Sequence, residues 1–97
     1  MSGAGAAARF ALQGALTMRT APALLDEGRR RAGEGDLVVD LAAVTEADSA
    51  ALALLLDWLR AARAAGHSLK LCNLPQGLVS LAALYDLDAV LPREGEA

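Results

Sequence analysis

The segment between Ala47 and Leu59 limits the possible folds of this chain most, because its apolar residues follow a helical period over an unusually wide sector. Either Asp48 or Ser49 can cap the start of the predicted helix, which we expect to reach about Ala65. One face carries the leucines that suit packing on a β-sheet, namely Leu52, Leu55, Leu56 and Leu59. With the neighbouring flank the apolar sector spans about 200°, whereas one sheet-packed helix needs roughly 100°.

The flank of this helix allows two explanations. Leu54 and Trp58 lie about one turn apart beside the leucine stripe. A neighbouring helix of the same domain could cover them, or they form an exposed patch that a protein partner covers, with the indole as anchor. The small residues Ala47, Ala50 and Ala51 would let another backbone come close, which favours the partner slightly.

The rest of the chain alternates short apolar runs with helical patterns. The predicted order is two short strands around Gly14, a helix at 21–32, a strand at 37–39, the leucine-rich helix, a strand at 69–72, a helix at 75–86 and a short element at 87–91. Such alternation is typical of an α/β fold with parallel strand pairs and crossover helices. We therefore expect a small mixed sheet of four or five strands with helices packed on it.

Length and composition indicate one small domain. The 97 residues predict a single unit over 1–97, with 1–8 and 93–97 as flexible ends. A net charge of −3 argues against a nucleic-acid partner, which needs a clustered basic surface. No apolar run is long enough to insert into a bilayer, and the start lacks the basic region of a signal peptide. The lone Cys72 fits a reducing cytosol.

Candidate chemistry is sparse. Ser49 and the only histidine, His67, lie at opposite ends of the leucine-rich helix, about 25 Å apart at 1.5 Å per residue, which excludes a Ser–His pair. Asp36 and Asp40 flank a strand but have no third ligand, so they are interpreted as solvated turn residues. We expect no catalytic residue, cofactor or metal. Tyr85 is placed on the core side of the last helix, with its hydroxyl at the rim.

Two segments resemble a known family. The run VVDLAAVTEADSAALALLL (38–56) is similar to the centre of STAS domains, with a strand ending in Asp-Leu, a loop, and Asp-Ser at the start of a Leu-rich helix. The run NLPQGLVSLAALYDLDAVLP (73–92) resembles the MlaB-like members of that family. The likeness covers residues 10–92 and implies a STAS-type fold.

The resemblance also implies a function. MlaB-like subunits bind the ATPase of the bacterial ABC transporter that maintains outer-membrane lipid asymmetry, and they support its assembly and activity. A chain of this kind is cytoplasmic and peripheral to the inner membrane, held through the ATPase near the permease. Self-association through the same apolar flank is a further possibility. Together with the wide apolar sector of the leucine-rich helix, the likeness predicts a set of partner-binding residues. They are Asp48, Ser49, Ala50, Ala51, Leu54 and Trp58.

An alternative function comes from related STAS proteins. Anti-sigma-factor antagonists carry a serine at the position of Ser49, and its phosphorylation by a partner kinase breaks their complex. Their motif usually reads Asp-Ser-Ser/Thr-Gly-Leu, whereas this chain has Asp48-Ser49-Ala50-Ala51-Leu52. The methyl group that replaces the glycine hydrogen disfavours close approach of a kinase loop. Under this alternative hypothesis, Ser49 is the predicted phosphorylation site.

Overall fold

Strands and helices alternate along residues 7–94, the part of the chain that the computed structural model describes. The α/β class predicted from the sequence is therefore observed. The elements are β1 (Ala8–Leu16), α1 (Ala21–Glu34), β2 (Leu37–Ala47), α2 (Ser49–Ala64), β3 (Leu69–Cys72), α3 (Gln76–Leu84) and a 3₁₀ turn (Asp88–Val90). No helix within this range is both long and apolar enough to cross a membrane.

The sheet is smaller and simpler than predicted. Residues 7–94 form three parallel strands in the order β1-β2-β3, not a mixed sheet of four or five. The two predicted N-terminal strands are one strand, because Gly14 (φ 77°) lies at a bulge and not at a reversing turn. The final segment adds only an isolated parallel bridge between Leu71 and Arg93.

Parts of both predicted flexible ends pair with the sheet. Ala8 belongs to β1, and its N–H donates to the carbonyl of Asp36 over 3.1 Å. At the other end Leu71 donates to the Pro92 carbonyl and accepts from the Glu94 N–H, both over 2.8 Å. Residues 1–6 and 95–97 lie outside the described part of the chain.

The core lies on one face of the sheet. Along each strand alternate residues are buried, as the period of two requires, including Phe10, Leu12, Leu37, Val39, Leu41, Leu69 and Leu71. They pack with the buried residues of all three helices in one cluster. On the other face Arg9, Val38 and Lys70 align across the strands, and Val38 is buried there because long charged side chains flank it.

The parallel topology gives the domain two distinct ends. The carboxyl edge of the sheet holds the last residues of β1 and β2 and, directly after β2, the first turn of α2, whereas the shorter β3 already ends beside Asp40. Each crossover helix then runs back toward the amino edge, where the strands begin. The start of α2 and the end of α3 therefore lie at opposite edges of the sheet.

The end of α3 corrects the placement of Tyr85. The core side of this helix consists of Leu78 and Ala82, as expected, but Tyr85 is 53% exposed. The helix stops at Leu84, and Asp86 adopts φ 58°, so the chain turns away before Tyr85 completes the helical pattern. The sequence-based prediction placed Tyr85 on the core side because it extended the helix to residue 86.

Candidate functional site

Asp48 organises the start of α2. Its Oδ1 accepts a hydrogen bond from the Ala50 N–H over 2.8 Å, which satisfies one of the unpaired donors of the first turn. Its Oδ2 accepts from the Met18 N–H over 3.2 Å. Between the two caps that the sequence allowed, the structure uses Asp48, and this carboxylate also fastens the β1–α1 loop to the helix.

The β1–α1 loop is itself held by a threonine network. The Thr20 hydroxyl accepts from the Thr17 N–H over 2.9 Å and donates to the Ala15 carbonyl over 2.8 Å. The Thr17 carbonyl accepts from the Ala21 N–H over 2.8 Å, which joins the loop to the start of α1. This tight loop leaves the Met18 side chain 74% exposed beside the start of α2.

Ser49 is the first residue of α2 and is exposed. Because Asp48 makes the cap, the Ser49 hydroxyl forms no hydrogen bond to another residue within 7–94. We call the surface formed by Met18, Ser49, Ala50 and Ala53 the cap surface; Ala53 is exposed and Ala50 half-buried. It combines one long apolar side chain with small residues around a free hydroxyl.

A shallow apolar groove of about 410 Å³ continues from the cap surface between α1 and α2. Met18, Ala50 and Ala53 of the cap surface are among the residues that line it. Arg29 and Asp57 also line the groove and join α1 to α2, with Nε–Oδ2 at 2.7 Å and Nη2–Oδ1 at 2.9 Å. These hydrogen bonds lower the pKa of Asp57 and raise that of Arg29.

Trp58 does not reach this surface. Its side chain has no exposed area, and its Nε1–H donates to the Leu25 carbonyl of α1 over 3.0 Å. The indole also packs against Phe10 of β1, with ring centroids 5.6 Å apart. The expectation of an exposed indole anchor is therefore wrong, because α1 covers the flank. Coverage of the flank by a neighbouring helix of the same domain was the other explanation that the sequence allowed.

The six predicted partner-binding residues divide into two groups. Asp48, Ser49 and Ala50 lie at the carboxyl edge and reach solvent at least in part. Ala51 and Trp58 are fully enclosed and Leu54 is 3% exposed, all within the core cluster. Leu54 lines the groove between α1 and α2 but is almost fully covered, whereas Ala51 and Trp58 offer no surface at all. The candidate site therefore centres on the start of α2 and the adjoining loop.

Comparison with known proteins identifies the family. Residues 1–92 match the family model described as "Mlab, STAS domain". This chain belongs to the STAS domain family. STAS domains are in general binding and regulatory modules, not enzymes. The family resemblance had predicted a partner contact at Asp48 and Ser49, and in this STAS domain these residues form the start of α2.

One solved structure shows the fold in a larger protein. The chain described as "Crystal Structure Analysis of Mglu" aligns to 70% of this STAS domain at 26% sequence identity, with a TM-score of 0.60. The STAS domain spans only 17% of the length of that chain. No curated protein matches this chain significantly.

Sequence reasoning missed Gly28 as the residue that lets α1 cover Trp58. A Cβ at Gly28 would lie 1.8 Å from Trp58 Cε2, so only glycine lets α1 approach the indole this closely. The available signal was a glycine inside a helix, which costs about 1 kcal/mol relative to alanine and needs a reason. Ala21 and Ala32 are also buried on this face, giving α1 a stripe of small residues.

The remaining polar candidates have structural partners. Asp36 accepts from the Ser68 N–H over 2.8 Å. Asp40 accepts from the Asn73 amide over 2.9 Å, and this hydrogen bond lowers its pKa. Burial raises the pKa of the Cys72 thiol, which disfavours the nucleophilic thiolate. Within residues 7–94 no group of three or more His, Cys, Asp or Glu side chains could hold a metal ion.

Proposed function

We propose that this STAS domain is a non-enzymatic accessory subunit that binds the ATPase of a bacterial phospholipid-transport (Mla) ABC transporter and supports its assembly and activity. The observation that carries the proposal is the cap surface, held in place by the two hydrogen bonds of Asp48. The match of residues 1–92 to the family described as "Mlab, STAS domain" supports this choice of partner.

The side chains of the cap surface suit a protein partner. Ala50 and Ala53 let a partner backbone come close to the helix, while Met18 offers a flexible apolar side chain that adapts to the opposing surface. The free hydroxyl of Ser49 can donate or accept one hydrogen bond at the centre of the contact. Because Asp48 and the threonine network hold the loop, binding would order few groups.

The rest of the proposed mechanism follows from this contact. The ATPase binds ATP and the permease moves lipid, while the STAS domain stabilises the assembled ATPase. Association with the inner membrane is indirect and occurs through the ATPase on the cytoplasmic side. A partner that binds only the assembled state shifts the equilibrium toward that state by mass action.

Arginine substitutions on the cap surface test the proposal. Ser49→Arg and Ala53→Arg each place a long cation in the contact, and we expect at least a tenfold loss of affinity for the transporter ATPase in a pull-down or by calorimetry. Ser80→Arg is the matched control, since Ser80 is an exposed serine on α3. Unchanged ATPase binding by both cap variants, with all proteins folded, would contradict the proposal.

The free hydroxyl of Ser49 also favours a second candidate, an anti-sigma-factor antagonist regulated by phosphorylation. A phosphate there would lie at the positive end of α2, so the modification need not unfold the helix. It would place about two negative charges in the contact and weaken binding. Incubation with a cognate kinase followed by mass spectrometry tests this function, with Ser49→Ala as control. The same charge effect can be tested in the transporter complex, where Ser49→Asp mimics the negative charge of a phosphate. If Ser49→Asp bound the ATPase with wild-type affinity, phosphorylation of Ser49 would not control that complex.

A further inference from the structure

A second exposed apolar surface lies at the other end of the domain. Leu84 is 75% exposed, Tyr85 53% and Val90 40%, and all three follow one another around the end of α3 and the 3₁₀ turn. We call these residues the α3-end patch. It is at the amino edge of the sheet, whereas the cap surface is at the carboxyl edge, so one rigid partner surface does not explain both.

In the segment that carries the α3-end patch, residues 74–93, the one charged side chain without an ion pair is acidic. From residue 74 to residue 92 the sequence contains no lysine or arginine, and its only charged residues are Asp86 and Asp88. Asp88 pairs with Arg93, whereas Asp86 forms no ion pair within residues 7–94. An unpaired carboxylate therefore stands directly beside Tyr85, on the exposed rim of the patch.

Backbone hydrogen bonds fix the turn that carries Asp86. The Leu87 N–H donates to the Ala82 carbonyl over 2.8 Å, and the Asp86 N–H donates to the Ala83 carbonyl over 3.1 Å. This pattern ends α3 with Asp86 at φ 58°, the position that glycine occupies most often. The chain thus carries an aspartate where helices often end in glycine, and aspartate is among the few other residues that adopt this conformation readily.

We propose that the α3-end patch binds a short amphipathic helix of a protein partner, with Leu-like side chains on one face flanked by lysine or arginine. The apolar side chains supply buried area, and Asp86 supplies the charge that a cation matches. A second copy would bring another Asp86 to the same contact, and an anionic bilayer would be repelled by it. This proposal goes beyond the ATPase contact, because it uses the opposite edge of the domain.

Two synthetic peptides test the proposal on the intact protein. One is an 18-residue amphipathic helix with leucines on one face and flanking lysines, and the other has glutamate in place of every lysine. We expect the lysine peptide to bind at least tenfold more tightly by fluorescence anisotropy. In ¹⁵N-labelled protein its addition should shift the amide resonances of Leu84, Tyr85, Asp86 and Val90, and leave those of Met18 and Ser49 unchanged.

Matched variants separate this surface from general attraction to a protein of net charge −3. Leu84→Ser and Asp86→Asn should each weaken the lysine peptide at least fivefold, and Asn tolerates the positive φ at position 86. Met18→Ser should have no effect, although Met18 is as exposed as Leu84 at the opposite edge. Equal binding of both peptides, or equal losses in all variants, would overturn the proposal. So would self-association or binding to anionic vesicles that Leu84→Ser abolishes.

Discussion

The contact between α1 and α2, which we call the seam, is buried, whereas the end of α3 is exposed to solvent, although both are rich in apolar residues. In the seam, α1 covers the indole of Trp58 completely, with Gly28 against its ring. At the end of α3 the chain turns away at Asp86, and Leu84 and Tyr85 stay in solvent. An apolar face is therefore buried or exposed according to which element passes over it, not according to its own composition.

Among the substitutions that compare the two regions, removal of the indole should change the free energy of unfolding most. Trp58→Ala should lower the free energy of unfolding by about 4 kcal/mol, because it deletes a buried aromatic side chain and leaves a cavity. Leu84→Ala, at the exposed end of α3, should change it by less than about 0.5 kcal/mol. Urea denaturation followed by circular dichroism measures both. A similar loss in the two variants would mean that the patch is covered as well.

A methyl group in the seam gives the next largest effect. Gly28→Ala should lower the free energy of unfolding by about 2 kcal/mol, since the added Cβ forces α1 away from Trp58, although alanine favours helix formation. Gly33→Ala is the control in the same helix, because nothing lies within 4 Å of its added Cβ. Thermal melts should show Gly33→Ala as stable as the wild type or more so. If Gly28→Ala were equally stable, the close packing on the indole would be refuted.

The ion pair across the seam should give the smallest effect, and one that depends on pH. Hydrogen bonds from Arg29 lower the pKa of Asp57 in the folded state, so the pair stabilises the domain above the unfolded pKa of about 4. This stability is lost as the pH falls through the lower, folded pKa. Asp57→Asn should thus cost less than Gly28→Ala at pH 7 and approach zero cost in acid, measured by urea denaturation across pH.

Asp26→Asn provides the control for this titration. Asp26 is almost fully exposed and lies 4.0 Å from the same guanidinium. We expect its substitution to have a negligible effect at every pH, because an exposed pair is screened by solvent. A loss for Asp57→Asn that stays constant between neutral and acidic pH would indicate lost packing in the seam, not a lost charge.

Much of the candidate site was predictable because it depends on local chemistry. Asp48 and Ser49 before a leucine-rich run predict a capped helix, and the structure places the start of α2 there. The link from Asp48 to the Met18 N–H was not predictable, since it joins residues 30 positions apart in sequence. The exposed loop beside the cap therefore appeared only in the folded chain.

By itself the sequence determined the alternating order of strands and helices, the start of α2 at Asp48-Ser49 and the leucine stripe on the sheet. These depend on periodicity and capping, which act over a few residues. Only the tertiary structure decided the number of strands, the burial of Trp58 and the exposure of Tyr85. Each depends on where distant backbone lies, and Gly28 shows why: its missing side chain lets α1 approach an indole 30 residues away in sequence.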